Sequence, residues 1–105
     1  MQELKGFYYH YKHDPSRGIN DYAYEVLNVA HHSEMELGDG ALVIYAPLYE
    51  SARAYRAGKH WDARPLAMFL ENVTKNGKTF PRFQKITDPK IILELKKIKN
   101  ELYGK

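Results

Sequence analysis

Residues 69–84 read Phe-Leu-Glu-Asn-Val-Thr-Lys-Asn-Gly-Lys-Thr-Phe-Pro-Arg-Phe-Gln. The pair Asn76-Gly77 at the centre is the strongest hairpin signal in the chain. A two-residue type I′ turn needs positive φ at both central positions, and these residue types adopt it at least cost. The stretch therefore reads as two strands, about 69–74 and 78–84, joined by a tight turn. Pro81 has no N–H to give to a ladder, so it belongs at an edge or a bulge.

Upstream, Pro65 pushes Arg64 toward extended geometry, and Pro65-Leu66-Ala67-Met68 can make one helical turn. Residues 41–49 and 22–32 are rich in β-branched and aromatic side chains and read as strands. Gly38-Asp39-Gly40 is the turn before 41–49, and Pro47 carries the same requirement as Pro81. Residues 6–12, Gly-Phe-Tyr-Tyr-His-Tyr-Lys, make a first strand. Phe7, Tyr9 and Tyr11 share one face of it, and Tyr8, His10 and Lys12 the other. Residues 13–21, with Pro15 and Gly18, form a loop. Residues 50–60 read as a long connection with a short hairpin at Ala57-Gly58.

Downstream the period changes. Ile91, Leu95, Ile98 and Leu102 recur at helical spacing. Asp88 suits an N-cap and Pro89 the first helical position. Lys96, Lys97 and Lys99 complement the negative end of the helix dipole, and Gly104 is a stop. The helix is expected over 89–103, its apolar stripe covering either the chain's own sheet or a second copy. Five or so short strands before one helix suggest a small barrel, because closure removes vulnerable edges. The chain divides into 1–87, the barrel domain, and 88–105, a helical extension.

At 105 residues there is room for one core. The absence of cysteine excludes disulfides, thiolate metal sites and a cysteine nucleophile. No apolar stretch follows Met1–Lys5, and no run approaches the ~20 residues that span a bilayer. A cytoplasmic protein with no membrane partner is expected. The net charge of +3 is unevenly spread: residues 1–74 hold 7 Lys/Arg and 10 Asp/Glu, and 75–105 hold 9 and 3. Such a basic end can attract phosphates, although a solvated face is the commoner use.

Several stretches carry a family resemblance: Gly6-Phe7-Tyr8-Tyr9-His10-Tyr11-Lys12, the segment from Tyr24 to Glu34, Val43-Ile44-Tyr45, Leu48-Tyr49, Arg64-Pro65-Leu66-Ala67-Met68-Phe69-Leu70-Glu71, and Gly77-Lys78-Thr79-Phe80-Pro81-Arg82-Phe83. In this order and spacing, over about 5–87, the chain resembles the domain-of-unknown-function family numbered 1653. It looks like a longer form, with an inserted loop at 13–21 and a helix after Ile86. The resemblance implies an SH3-like β-barrel and no established activity.

Fourteen aromatics, nine of them Tyr, are the most suggestive feature. Tyrosine joins a flat apolar face to a polar tip and suits binding surfaces as well as cores. Tyr9, Tyr11, Tyr45, Tyr49 and Trp61 are the aromatic candidates. Tyr24, Leu27, Val29, Leu48, Leu66, Phe69 and Phe83 are expected to be core. His10, His31 and His32, with Glu34, are the polar candidates. His31 and His32 point to opposite faces of a strand and there is no helical histidine pair, so no metal site and no cofactor are expected. Arg64 beside Trp61 can clamp a carboxylate or phosphate, against the plainer reading of an ion pair to Asp62, Glu71 or Glu34. The ligand-binding set is thus His10, Tyr11, His31, His32, Glu34, Tyr45, Tyr49, Trp61 and Arg64. No phosphate loop, dinucleotide fingerprint or zinc-protease motif occurs, and catalysis is not expected. The expected function is a binding module for a peptide, a nucleic acid or a small ligand, as monomer or homodimer. The alternative is an assembly protein that dimerises through its helix. A small histidine-dependent enzyme ranks third.

Overall fold

The computed structural model describes residues 4–34, 40–49 and 61–103. Its elements run β1 (Gly6–His10), β2 (Ala23–His31), β3 (Ala41–Pro47), β4 (Asp62–Pro65), the single turn α1 (Leu66–Phe69), β5 (Asn72–Lys75), β6 (Lys78–Pro81), β7 (Phe83–Lys85) and α2 (Pro89–Tyr103). A 3-10 turn at Pro15–Arg17, capped by the Asp14 side chain, lies in the β1–β2 loop. The expected connection at 50–60, its hairpin at Ala57-Gly58, and most of the 38–40 turn lie outside the described residues.

The hairpin forms as its turn residues dictate. Thr74 faces Thr79 and Lys75 faces Lys78, and φ is 54° at Asn76 and 78° at Gly77. The expected strands 69–74 and 78–84 are shorter in fact. α1 runs on through Phe69, so β5 starts at Asn72. Pro81 cannot donate and ends β6, and after Arg82 the chain crosses to a different sheet. There β7 pairs with β1, His10 opposite Phe83 and Tyr8 opposite Lys85.

The main sheet is antiparallel in the order β4-β3-β2-β1-β7. The protein is mostly β with a C-terminal helix. Among the described residues the hydrogen-bonded order stops at β4 on one side and β7 on the other, so the ring of a barrel is not closed. The sheet nevertheless curls. Strands lie about 4.8 Å apart, which would separate β3 from β7 by roughly 14 Å in a flat sheet. The rings of Tyr45 on β3 and Phe83 on β7 are only 6.4 Å apart. A bulge between Val26 and Asn28 adds to the bend in β2. Pro47 does not sit on a sheet edge: it is the last residue of the interior strand β3.

Each face of the sheet has its own apolar cluster. Tyr8, Tyr24, Val26, Val43, Tyr45, Phe69 and Phe83 fill the inner face, toward which the sheet curls. Phe7, Ala23, Leu48 and Ile86 meet Leu95 of α2 on the outer face, with Ile91, Ile92 and Ile98 alongside. The helix therefore spends its stripe on its own sheet. Asp88 caps it, accepting the Lys90 N–H at 2.9 Å. Tyr103 donates its hydroxyl to the Pro47 carbonyl at 2.7 Å, and Lys99 pairs with Glu25 at 2.5 Å. Among the described residues, no helix is long and apolar enough to cross a membrane.

Candidate functional site

Alternation along β1 places His10 on the same face as Tyr8, and register sets it opposite Phe83. From there a closed circuit of rings can be followed. His10 meets Phe83 edge-on at 5.1 Å between centroids, and Phe83 meets Tyr24 at 5.6 Å. Tyr24 meets Tyr49 at 5.5 Å, Tyr49 meets Tyr22 at 5.4 Å, and Tyr22 returns to His10 at 5.4 Å. Such edge-to-face and tilted spacings are the favourable ones for aromatic pairs. Tyr22 holds a positive φ of 51°, a conformation that costs a non-glycine residue about 1 kcal/mol or more. Its carbonyl accepts the His10 N–H at 3.0 Å, which ties it to β1.

Phe83 and Tyr24 are buried, while His10, Tyr22 and Tyr49 are half-buried and form the open side of the circuit. The hydroxyls of Tyr24 and Tyr49 lie 2.5 Å apart. One must donate to the other, which leaves one hydroxyl proton to satisfy elsewhere. Burial pushes both phenols above their ordinary pKa, so both are neutral.

His10 is pushed down to about 4, first by burial and then by the charges of Lys12, Arg64 and Arg82. Its Nδ1 accepts the Lys12 N–H at 3.1 Å, so the proton of the neutral ring sits on Nε2. The ring is a neutral donor in a positive field.

The two arginines differ. Arg82 Nη2 holds Glu71 Oε1 at 3.1 Å. Arg64 stacks its guanidinium on Phe83, 5.3 Å from Cζ to the ring centre, with no hydrogen bond or ion pair among the described residues. Its Nε is shielded from solvent and unpaired, as is that of Arg82. The plainer expectation for Arg64 is not met: Glu71 is taken by Arg82, Glu34 is exposed in the turn after β2, and Asp62 makes no ion pair with it.

The structure thus gathers His10, Tyr45, Tyr49 and Arg64, with Tyr45 buried behind Tyr24 at 5.3 Å. Tyr11 lies just outside, 4.5 Å from the His10 ring and 5.9 Å from Phe80. It lines a neighbouring open hollow of about 340 Å³ with Tyr9, His13, Phe80 and His10, which the hollow shares with the circuit. His31, His32 and Glu34 are exposed at the far end of β2, about 20 Å along the strand from Tyr24. There His32 Nδ1 accepts the Glu34 N–H at 3.1 Å. Trp61 is 59% exposed and stands apart from the circuit. Sequence reasoning misses Tyr22 and Arg82, and assigns Tyr24 and Phe83 to packing alone. No residue-type signal marks Tyr22, because tyrosine seldom adopts the conformation that places it. Among the described residues, no group of three metal-capable side chains occurs.

A family model described as "Protein of unknown function (DUF1653)" matches residues 6–85. A crystal structure of a protein belonging to DUF1653 from Bordetella bronchiseptica is similar, with a TM-score of 0.58 and 27% identity. The similarity covers 81% of this chain and 88% of that one. No curated protein matches.

Proposed function

Because the chain belongs to the DUF1653 family, whose description names no activity, we propose its role from the site: a small binding module whose inner aromatic face receives a ligand. Residues 1–87 are the SH3-like barrel domain in this reading, with 13–21 as an inserted loop and 88–105 as the helical extension. The module works in the cytoplasm. The observation that carries the reading is the half-buried Arg64 guanidinium, stacked on Phe83 and lacking a counter-charge among the described residues. Leaving a partly desolvated charge unpaired is costly, and such costs collect where a ligand supplies the missing partner.

The open side of the circuit consists of three half-buried rings, His10, Tyr22 and Tyr49. This favours a small ligand or a peptide side chain over a nucleic-acid strand, which needs a basic groove running past several bases. The lysines of α2 belong to an element that covers the other face of the sheet. Pairing through α2 has less to offer, since Ile91, Leu95 and Ile98 already pack on the chain's own sheet.

An amide NMR titration tests the module, with a short mixed single-stranded oligonucleotide, a short-peptide mixture and a set of small aromatic compounds as three arms. Shifts at His10, Tyr22, Tyr49 and Phe83 in the peptide or small-compound arm are expected. Shifts confined to α2, produced by the oligonucleotide and fading with salt, would overturn the proposal.

A further inference from the structure

Resting on that reading, we infer that the site takes a carboxylate monoanion carried on a flat ring, with Arg64 as its charge partner. Three observations narrow the chemistry to this class.

The first is the sign of the charge. A circuit of aromatic rings alone suits a quaternary ammonium, held by the ring faces. Here Arg64 stacks on one member of the circuit, and Arg82 is the chain neighbour of the same Phe83. A cation would enter against both. Burial holds His10 neutral first, and the charges of Lys12 and then of these guanidinium groups add to it. The site is built for an anion.

The second is the number of charges. Arg82 is already paired with Glu71. Arg64, unlike Arg82, has no carboxylate within ion-pair reach among the described residues. Asp62, two residues before it on β4, shares its face of the strand and lowers the local positive charge further. One unspent positive charge matches a monoanion. Lys12, which also acts on His10, is exposed at the rim, so in the half-buried part of the site a phosphate dianion's second charge meets no unspent cation among the described residues.

The third is shape. A guanidinium offers a planar fork that a carboxylate fits with two parallel hydrogen bonds. The Phe83 ring lies under the guanidinium carbon at 5.3 Å. His10 adds an N–H donor, and the Tyr24–Tyr49 pair has one hydroxyl proton to spare. The half-buried rings of Tyr22 and Tyr49 offer faces to a flat group attached to the carboxylate. A free aromatic acid and the C-terminus of a peptide ending in an aromatic residue share this chemistry.

The test follows the Arg64 Nε–H resonance and the backbone amides by NMR, with benzoate, N-acetylphenylalanine, inorganic phosphate and tetramethylammonium as probes. Benzoate or N-acetylphenylalanine is expected to shift Arg64, His10 and Tyr49, and the tighter of the two identifies the free acid or the peptide end as the source. Arg64→Gln is expected to weaken that binding roughly tenfold or more, and Arg64→Lys to restore only part of it. Unchanged amide dispersion in both variants shows that they fold. Tighter binding of phosphate, preference for tetramethylammonium, or full affinity in Arg64→Gln would each overturn the carboxylate assignment while leaving a ligand on the aromatic face. If none of the four probes moves an inner-face resonance, the carboxylate assignment falls, and the binding module is decided by the peptide and oligonucleotide arms above.

Discussion

The Arg64 guanidinium carbon lies 5.3 Å from the centre of the Phe83 ring, although the two residues belong to opposite edge strands of a five-stranded sheet. The contact spans the mouth of the curled sheet and places a charge where an apolar side chain would pack as well. If the charge serves a ligand, removing it relieves the empty protein. Arg64→Met keeps the stem and discards the guanidinium. Chemical denaturation is expected to show unchanged stability or a gain of about 1 kcal/mol. A loss above about 2 kcal/mol would make the guanidinium a structural group.

His10 gives the molecule a pH dependence whose sign can be worked out. Its native pKa of about 4 lies below the ordinary histidine value. The unfolded chain takes up a proton near pH 6.5, while the native ring resists until about 4. Stability is therefore fully present above 6.5 and falls as the pH drops through that window. The ring is half-exposed, so the effect is on the order of 1 kcal/mol. Thermal melts of wild type and His10→Gln between pH 7 and 4 are expected to show a shallower fall in the variant. Parallel curves would contradict the depressed pKa.

The Tyr24–Tyr49 hydroxyl pair predicts an asymmetry. Tyr24 is buried and Tyr49 half-buried. Tyr24→Phe leaves Tyr49 able to turn to water and costs about 1 kcal/mol. Tyr49→Phe strands the Tyr24 hydroxyl inside and costs more, about 1–3 kcal/mol. Urea denaturation of both single variants and the double variant measures the difference. Equal costs would mean that Tyr24 has a second partner.

On the outer face, Leu95 of α2 is fully buried against Phe7, Ala23, Leu48 and Ile86. Leu95→Ala is expected to cost about 2–5 kcal/mol. Light scattering of the wild type at high concentration is expected to give the mass of a monomer, because the stripe is already covered. A dimer abolished by Leu93→Glu, which changes an exposed helix position, would return the stripe's neighbourhood to an assembly role.

Local chemistry was the legible part of the sequence. Asn76-Gly77 announced the hairpin, Asp88-Pro89 and the Ile91/Leu95/Ile98 spacing announced the helix over 89–103, and alternation along 6–12 sorted Phe7 from Tyr8 and His10. What depends on pairing between distant strands was not legible. The split at Arg82 arises because β6 and β7 join different sheets. The bulge after Val26 shifts the register along β2, and Leu27, expected as core, is only half-buried. The sequence marks His10 and Arg64 individually, but their meeting around Phe83 follows from the curl of the sheet. His31, His32 and Glu34 are adjacent in sequence, and the length of β2 carries them away from His10.

Intermolecular NOEs between the protein's ring protons and bound benzoate, or bound N-acetylphenylalanine, locate the ligand on the inner face or off it. NOEs to Tyr22 and Tyr49, on the open side of the ring circuit, are expected. NOEs to Tyr11, His13 and Phe80 instead would place the ligand in the neighbouring hollow and contradict the inner-face site.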